Sequence, residues 1–122
     1  MKKVYVKATT AADGSAAVTA VNWITGKLVA IAYLPGTIDT GATITITCEG
    51  PFTKPLLTKA TAGTSNLIFY PRDLQHAVSD GAALTGSAGG DRTQPMLDGK
   101  IKLAVASGGN VLTGAIIVYY ED

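Results

Sequence analysis

Between residues 43 and 49 the chain reads Thr-Ile-Thr-Ile-Thr-Cys-Glu, a strict alternation of apolar and polar side chains. In an extended chain successive side chains point to opposite faces, so Ile44, Ile46 and Cys48 share one face while Thr43, Thr45, Thr47 and Glu49 share the other. This predicts a strand with one dry face and one wet face. Residues 2–9 alternate in the same way, with Val4, Val6 and Ala8 opposed to Lys3, Tyr5 and Lys7. Residues 100–106 set Ile101, Leu103 and Val105 against Lys100, Lys102 and Ala104. Two other segments are apolar on both sides. In residues 27–34, Leu28, Ala30 and Ala32 oppose Val29, Ile31 and Tyr33; in residues 112–120, Ile116, Val118 and Tyr120 oppose Ala115, Ile117 and Tyr119. Strands of that kind belong inside a sheet or beneath a second covering surface. After residue 106, Ser107-Gly108-Gly109-Asn110 supplies residues that tolerate positive φ, which predicts a hairpin joining 100–106 to 112–120.

The remaining elements are weaker. Residues 15–21 read as a strand of small side chains, followed by a connection around Gly26. Trp23 there either caps the core, the reading its size favours, or stands at a contact surface. Residues 66–70 form a strand that Pro71 stops. Pro51 and Pro55 cannot donate to a ladder, so the stretch after residue 49 reads as an interruption, then a short apolar contact and a loop. Residues 72–78 are the one candidate helix, two turns at most or else an extended arm. Residues 79–98 are dense in Gly, Ser and Asp, and connections of that length in a compact domain commonly carry function or order on binding. Residues 72–96 are therefore the candidate interaction arm. The elements together predict an all-β chain: a single domain over residues 1–122, an antiparallel β-sandwich of jelly-roll or Ig-like type. It has about eight strands at the spacing such folds show, plus the long Gly/Ser/Asp-rich loop.

Composition narrows the function classes. A chain of 122 residues buries about two-thirds of its unfolded surface, enough to fold without a metal or a disulfide. Its one cysteine, Cys48, rules out an internal disulfide and is compatible with a reducing cytosol. Charged residues make up 16% and the net charge is +1, so copies repel one another weakly, which suits a protein that lives in a larger assembly. No clustered basic face is visible, which argues against nucleic acid as a partner. No apolar run reaches the ~18 residues a membrane-spanning helix needs. Lys2 and Lys3 are followed by Tyr5, Lys7 and a polar stretch rather than an apolar core, so no signal peptide is expected.

Candidate chemistry is sparse. The single His76 could join Ser65 and either Asp73 or Asp80, but no nucleophile-elbow sequence surrounds any serine. One cysteine and one histidine fall short of a zinc ligand set. The glycines of "GSAGGD" lack the Gly-Lys-Ser/Thr of a phosphate loop. Asp80, Asp91 and Asp98 could chelate calcium, yet Asp-Gly pairs are ordinary turn formers and the turn reading is preferred. Glu49, Asp39 and Asp73 offer carboxylates for glycoside cleavage with nothing to place two of them across a cleft. No catalytic residue, metal site or cofactor is expected.

Aromatic residues point to contact instead. Tyr33, Phe69, Tyr70, Tyr119 and Tyr120 lie in largely apolar strands, and a two-layer domain has one interior. They either thicken that core or pack against another polypeptide, where tyrosine is enriched. With Arg72, Asp91 and Arg92 of the arm they form the candidate partner interface.

Four segments in order, "YLPGTIDTGATITIT", "TAGTSNLIFYPR", "GGDRTQP" and "GKIKLAVASGGNVLTGAIIVYY", resemble small virion structural proteins of tailed bacteriophages, commonly encoded among the head genes. The likeness spans residues 28–120, and the "FYPR" element is its most distinctive part. It implies a β-sandwich subunit that decorates or cements a capsid shell, binding the major capsid protein or another virion protein. It transfers no catalytic residues. The expectation is a non-enzymatic capsid decoration or cement protein, a homo-oligomer with a trimer as the guess, located in the virion and assembled in the host cytoplasm. The alternatives are a tail or head-to-tail connector subunit and, in a different class, a carbohydrate-binding sandwich that uses Trp23 or exposed tyrosines as stacking platforms.

Overall fold

The alternation at residues 43–49 becomes a strand whose Ile44, Ile46 and Cys48 are buried while its threonines face outward. The computed structural model describes residues 1–74 and 92–122, and over these the chain is all-β with no helix. Its strands are β1 (Lys2–Thr9), β2 (Ala16–Thr19), β3 (Ile24–Leu34), β4 (Thr43–Glu49), β5 (Lys54–Lys59), β6 (Leu67–Phe69), β7 (Asp73–Leu74), β8 (Arg92–Thr93), β9 (Met96–Ala106) and β10 (Thr113–Glu121). Eight of them make one antiparallel sheet in the order β1-β10-β3-β9-β4-β5, with β2 also paired to β9 and β6 to β3. The sheet folds over on itself into two layers, β1-β10-β3-β6 and β2-β9-β4-β5, joined where β3 meets β9. This is the sandwich that the strand spacing predicts.

The core lies between the layers. Val6, Leu28, Ile31, Tyr33, Ile116 and Val118 come from one side, and Ile44, Ile46, Cys48, Ile101, Leu103 and Val105 from the other. Each such side chain contributes about 1.5–3 kcal/mol when taken fully out of water.

Strand β9 organises the fold. Its first residues pair with β3 (Met96↔Lys27, Gly99↔Ile24). Further along, the same edge pairs with β2 (Lys102↔Thr19, Val105↔Ala16), and the opposite edge pairs with β4 (Lys100↔Glu49, Ala106↔Thr43). At the passage from one layer to the other, Gly99 has φ of 153°, and a Cβ on it would collide with the Glu49 carbonyl. Only glycine fits a backbone crossing this close.

The hairpin expected between 100–106 and 112–120 does not form. β10 pairs with β1 and β3, and it lies in the opposite layer from the part of β9 that precedes the turn. Residues 107–112 are a crossover between layers, bonded to other turns rather than to themselves. Gly108 donates to the Gly14 carbonyl at 2.9 Å, and the Asp39 amide donates to the Gly108 carbonyl at 3.1 Å. Thr10, the one buried polar residue among those described, at 2% exposure, fastens this crossover to the end of β1. Its hydroxyl donates to the Gly109 carbonyl at 2.7 Å and accepts from the Leu112 amide at 2.8 Å.

Two further expectations change. The stretch after residue 49, read as an interruption, contains β5, which pairs with β4 from Ile44↔Lys59 to Cys48↔Lys54. Pro55 is tolerated because β5 is the border strand and a register shift between Ile46 and Thr47 accommodates it. Trp23 does not cap the core: it is 54% exposed, and its indole N–H donates to Asp98 at 2.8 Å. In the candidate arm, β7 and β8 pair with each other (Asp73↔Thr93, Leu74↔Arg92), so the start of residues 72–78 is extended, as the arm reading has it, and not helical. Residues 75–91 of that arm, with His76, Asp80 and Asp91, lie outside the described residues.

Candidate interaction surface

The layer β1-β10-β3-β6 has one face on the core, and the registers fix what its other face presents. The rows Val4↔Val118↔Ile31↔Phe69 and Val6↔Ile116↔Tyr33↔Leu67 point inward. By the period of two, the rows between them point outward. These are Tyr5↔Ile117↔Ala32↔Ile68 and Lys3↔Tyr119↔Ala30, with Lys7↔Ala115↔Leu34 beside them. In an ordinary solvated sheet face these positions would be mostly polar. Here β10 and β3 contribute only apolar and aromatic side chains, and Tyr5, Ile68 and Tyr70 are each more than half exposed.

A β-bulge shapes the middle of this face. Tyr119 pairs with Ala30 but Tyr120 pairs with Leu28, so Val29 is the extra residue. The bulge turns Leu28 to the core alongside Ile31 and Tyr33, against the simple alternation, and leaves an apolar recess of about 220 Å³ lined by Met1, Val29, Ala30, Ile68, Tyr70 and Tyr119. Arg72 is held at its edge, with Nη1 donating to the Val29 carbonyl at 3.2 Å and to the Pro71 carbonyl at 2.7 Å. Lys3 and Lys7 stand on the β1 border. Among the described residues no carboxylate forms a salt bridge with Lys3, Lys7 or Arg72. The carboxylates nearest in register are already opposite cations, Glu121 facing Lys27 and Asp122 bonded to Lys2.

A second apolar patch occupies one end of the sandwich. Phe52 at 85% and Met96 at 70% exposure flank a recess of about 300 Å³, lined also by Cys48, Pro51, Lys54 and Asp98. Trp23 adjoins it through its bond to Asp98. Along the side of the sandwich, β1 and β2 face each other as unpaired edges across a shallow groove.

Among the described residues, the carboxylates considered for chemistry do not assemble. Glu49 accepts from the Thr53 hydroxyl at 3.0 Å and lies 3.8 Å from Lys102; Asp73 lies 2.6 Å from Lys54; Asp98 holds Trp23. No group of three or more His, Cys, Asp or Glu that could hold a metal occurs among the described residues. Burial pushes the Cys48 thiol up, which keeps it protonated and weakly nucleophilic.

The candidate interface residues divide. Tyr70, Tyr119 and Arg72 meet on the outer face. Tyr33 is in the core, and Phe69 and Tyr120 pack against it. Arg92 is exposed on β8, and Asp91 lies outside the described residues. Tyr5, Val29, Ile68 and Ile117 belong to the surface although sequence reasoning did not select them. Tyr5 alternates with Val4 and Val6 and so reads as part of a wet lysine face, while Val29 reaches the surface only through the bulge. Phe52, in a Pro-bounded turn, carries no sequence signal of its own. Set against protein-family models, curated proteins and solved structures, the chain matches none.

Proposed function

We propose that the protein is a non-enzymatic virion structural protein of a tailed bacteriophage, a decoration or cement subunit that binds the capsid shell as a homo-oligomer. The observation that carries this reading is the apolar outer face of β1-β10-β3-β6, which no other described residues cover. A contiguous patch of tyrosine and aliphatic side chains on a sheet face marks a protein contact. A cement subunit needs two separate contacts, one to the shell and one to a neighbouring copy, and the end patch of Phe52, Met96 and Trp23 supplies a second. The phage head enters through the resemblance of residues 28–120 to small head proteins.

The test is co-sedimentation of the purified protein with expanded capsid shells that lack it, alongside its mass in solution. Saturable binding at a fixed ratio to shell subunits, with the shell more resistant to heat, is the expected result. A closed ring that ignores shells would instead identify a connector. A monomer that ignores both shells and tails would end the proposal.

A further inference from the structure

We propose that the bulge recess on the outer face is a socket for one apolar side chain of a carboxylate-flanked segment of the partner, with Arg72 and Lys3 reading the flanking charges. This deepens the cement reading and rests on it for the identity of the partner, which is then an acidic segment of the shell protein.

The size of the recess sets the anchor. A cavity of about 150 Å³ lined by aliphatic and aromatic groups accepts a benzene ring, and this recess of about 220 Å³ is somewhat larger and open on one side. It suits a Phe or Leu side chain and is too small for an ordinary small-molecule pocket, which starts at about 300 Å³. Anchors of this kind, seated in an apolar pocket at the centre of a contact, dominate interface energetics.

The charges choose the occupant. Cations stand on both borders of the face, Lys3 and Lys7 on β1 and Arg72 beyond β6, and among the described residues the carboxylates beside them are bonded to other cations, Asp122 to Lys2 and Asp73 to Lys54, or stand in register with one, as Glu121 does with Lys27. If a second copy stacked on this face through a two-fold axis, the β1 border would lie over either the partner's β1 border or its β6 border. Both arrangements oppose cation to cation, which is unfavourable as apolar surroundings exclude water. A segment with glutamate or aspartate on either side of its anchor meets the opposite situation. Arg72 is also prepared for the role: its bonds to two main-chain carbonyls fix the guanidinium at the lip of the recess, and among the described residues nothing else takes its remaining N–H groups, which are oriented to donate to a carboxylate.

The experiment uses the full chain with methyl-resolved NMR and short synthetic peptides. One has a central Phe flanked by Glu, the second the same Phe flanked by Lys, and the third a central Ala flanked by Glu. The first peptide should shift the Val29, Ala30 and Ile68 methyls and bind at least about tenfold more tightly than either control. Its affinity should fall with added salt. Arg72→Glu, an exposed change that leaves the core untouched, should weaken that binding by about tenfold and improve binding of the Lys-flanked peptide. Ala30→Leu, which fills the recess, should remove it, and Arg72→Glu decides the matter if that variant does not fold. Equal shifts from all three peptides, or shifts mapping elsewhere, would overturn the inference. So would shifts of the same methyls with protein concentration alone, because a second copy would then cover the face. These outcomes are independent of capsid binding. Shells bound equally well by Arg72→Glu would refute the socket and leave the cement reading standing, whereas acidic-peptide binding without shell binding would do the reverse.

Discussion

Four glycines separate two kinds of backbone constraint, and substituting each with alanine measures them. Gly41 has an ordinary φ and open space where a Cβ would go; Gly63 has φ of 82° and the same open space. Gly50 has an ordinary φ, but its Cβ would collide with the Asp98 carbonyl, and Gly99 combines φ of 153° with a collision against the Glu49 carbonyl. Gly41→Ala should be neutral or stabilising by up to about 0.4–1 kcal/mol, since it removes freedom from the unfolded chain alone. Gly63→Ala should cost about 1–2 kcal/mol for the left-handed backbone. Gly50→Ala should cost about 1–3 kcal/mol, as other forced overlaps in packed regions do. Gly99→Ala meets both penalties and should cost about 3–5 kcal/mol, a large fraction of the 5–15 kcal/mol that holds a typical domain together. Urea unfolding with a common m-value is the assay. If Gly99→Ala and Gly63→Ala agree to within about 0.5 kcal/mol, the close crossing of β9 over the end of β4 contributes nothing and the account of that junction is wrong.

Thr10→Val keeps the shape of the side chain but orphans the Gly109 carbonyl and the Leu112 amide, so it should cost about 1–3 kcal/mol in the same assay; no loss would mean the crossover is held by other bonds. Burial raises both the Cys48 thiol and the Tyr33 phenol above their ordinary values. The unfolded chain therefore gives up these protons first as pH rises. The protection is complete below about pH 8.5, the ordinary thiol value, and is lost as pH climbs through the raised folded values. The thermal midpoint should thus decline above that pH, and Tyr33→Phe should flatten the upper part of the decline; an unchanged profile in that variant would remove Tyr33 from the explanation. Ile68→Lys, at a half-exposed position on the outer face, should change stability by no more than about 0.5 kcal/mol while abolishing shell binding in co-sedimentation. Retained binding would move the contact elsewhere.

How much of this was legible in the sequence depends on what an alternating pattern encodes. Period two reveals which side chains share a face, and β1, β4 and the second half of β9 follow it residue by residue. It does not encode neighbours. The Gly-rich turn at 107–110 carries every local mark of a hairpin, yet both flanking strands find better-covered positions beside strands far away in the chain, and the turn becomes a crossover. A single extra residue also defeats the pattern. Val29 shifts the parity of β3, so Leu28 joins Ile31 and Tyr33 in the core although plain alternation sets it on the opposite face. Pro55 hid a strand because proline argues against the middle of a sheet, and β5 is at its border. Trp23 was misplaced because size alone suggests a core, whereas its N–H finds Asp98 at the rim.

The placement of β9 also dictates when the molecule can exist during its synthesis. Its partners Ala16, Ile24 and Thr43 leave the ribosome long before Val105, Gly99 and Ala106 do, and β10 follows later still. Until the final quarter of the chain emerges, β2 lacks the strand it is hydrogen-bonded to, β4 keeps β5 alone, and the layer opposite the inward isoleucines of β4 lacks β10, the strand that joins β1 to β3. Chains truncated before residue 96 should therefore be degraded or aggregate rather than persist as partial domains. A nascent subunit thus acquires its partner-binding face and its own interior in one late, cooperative event.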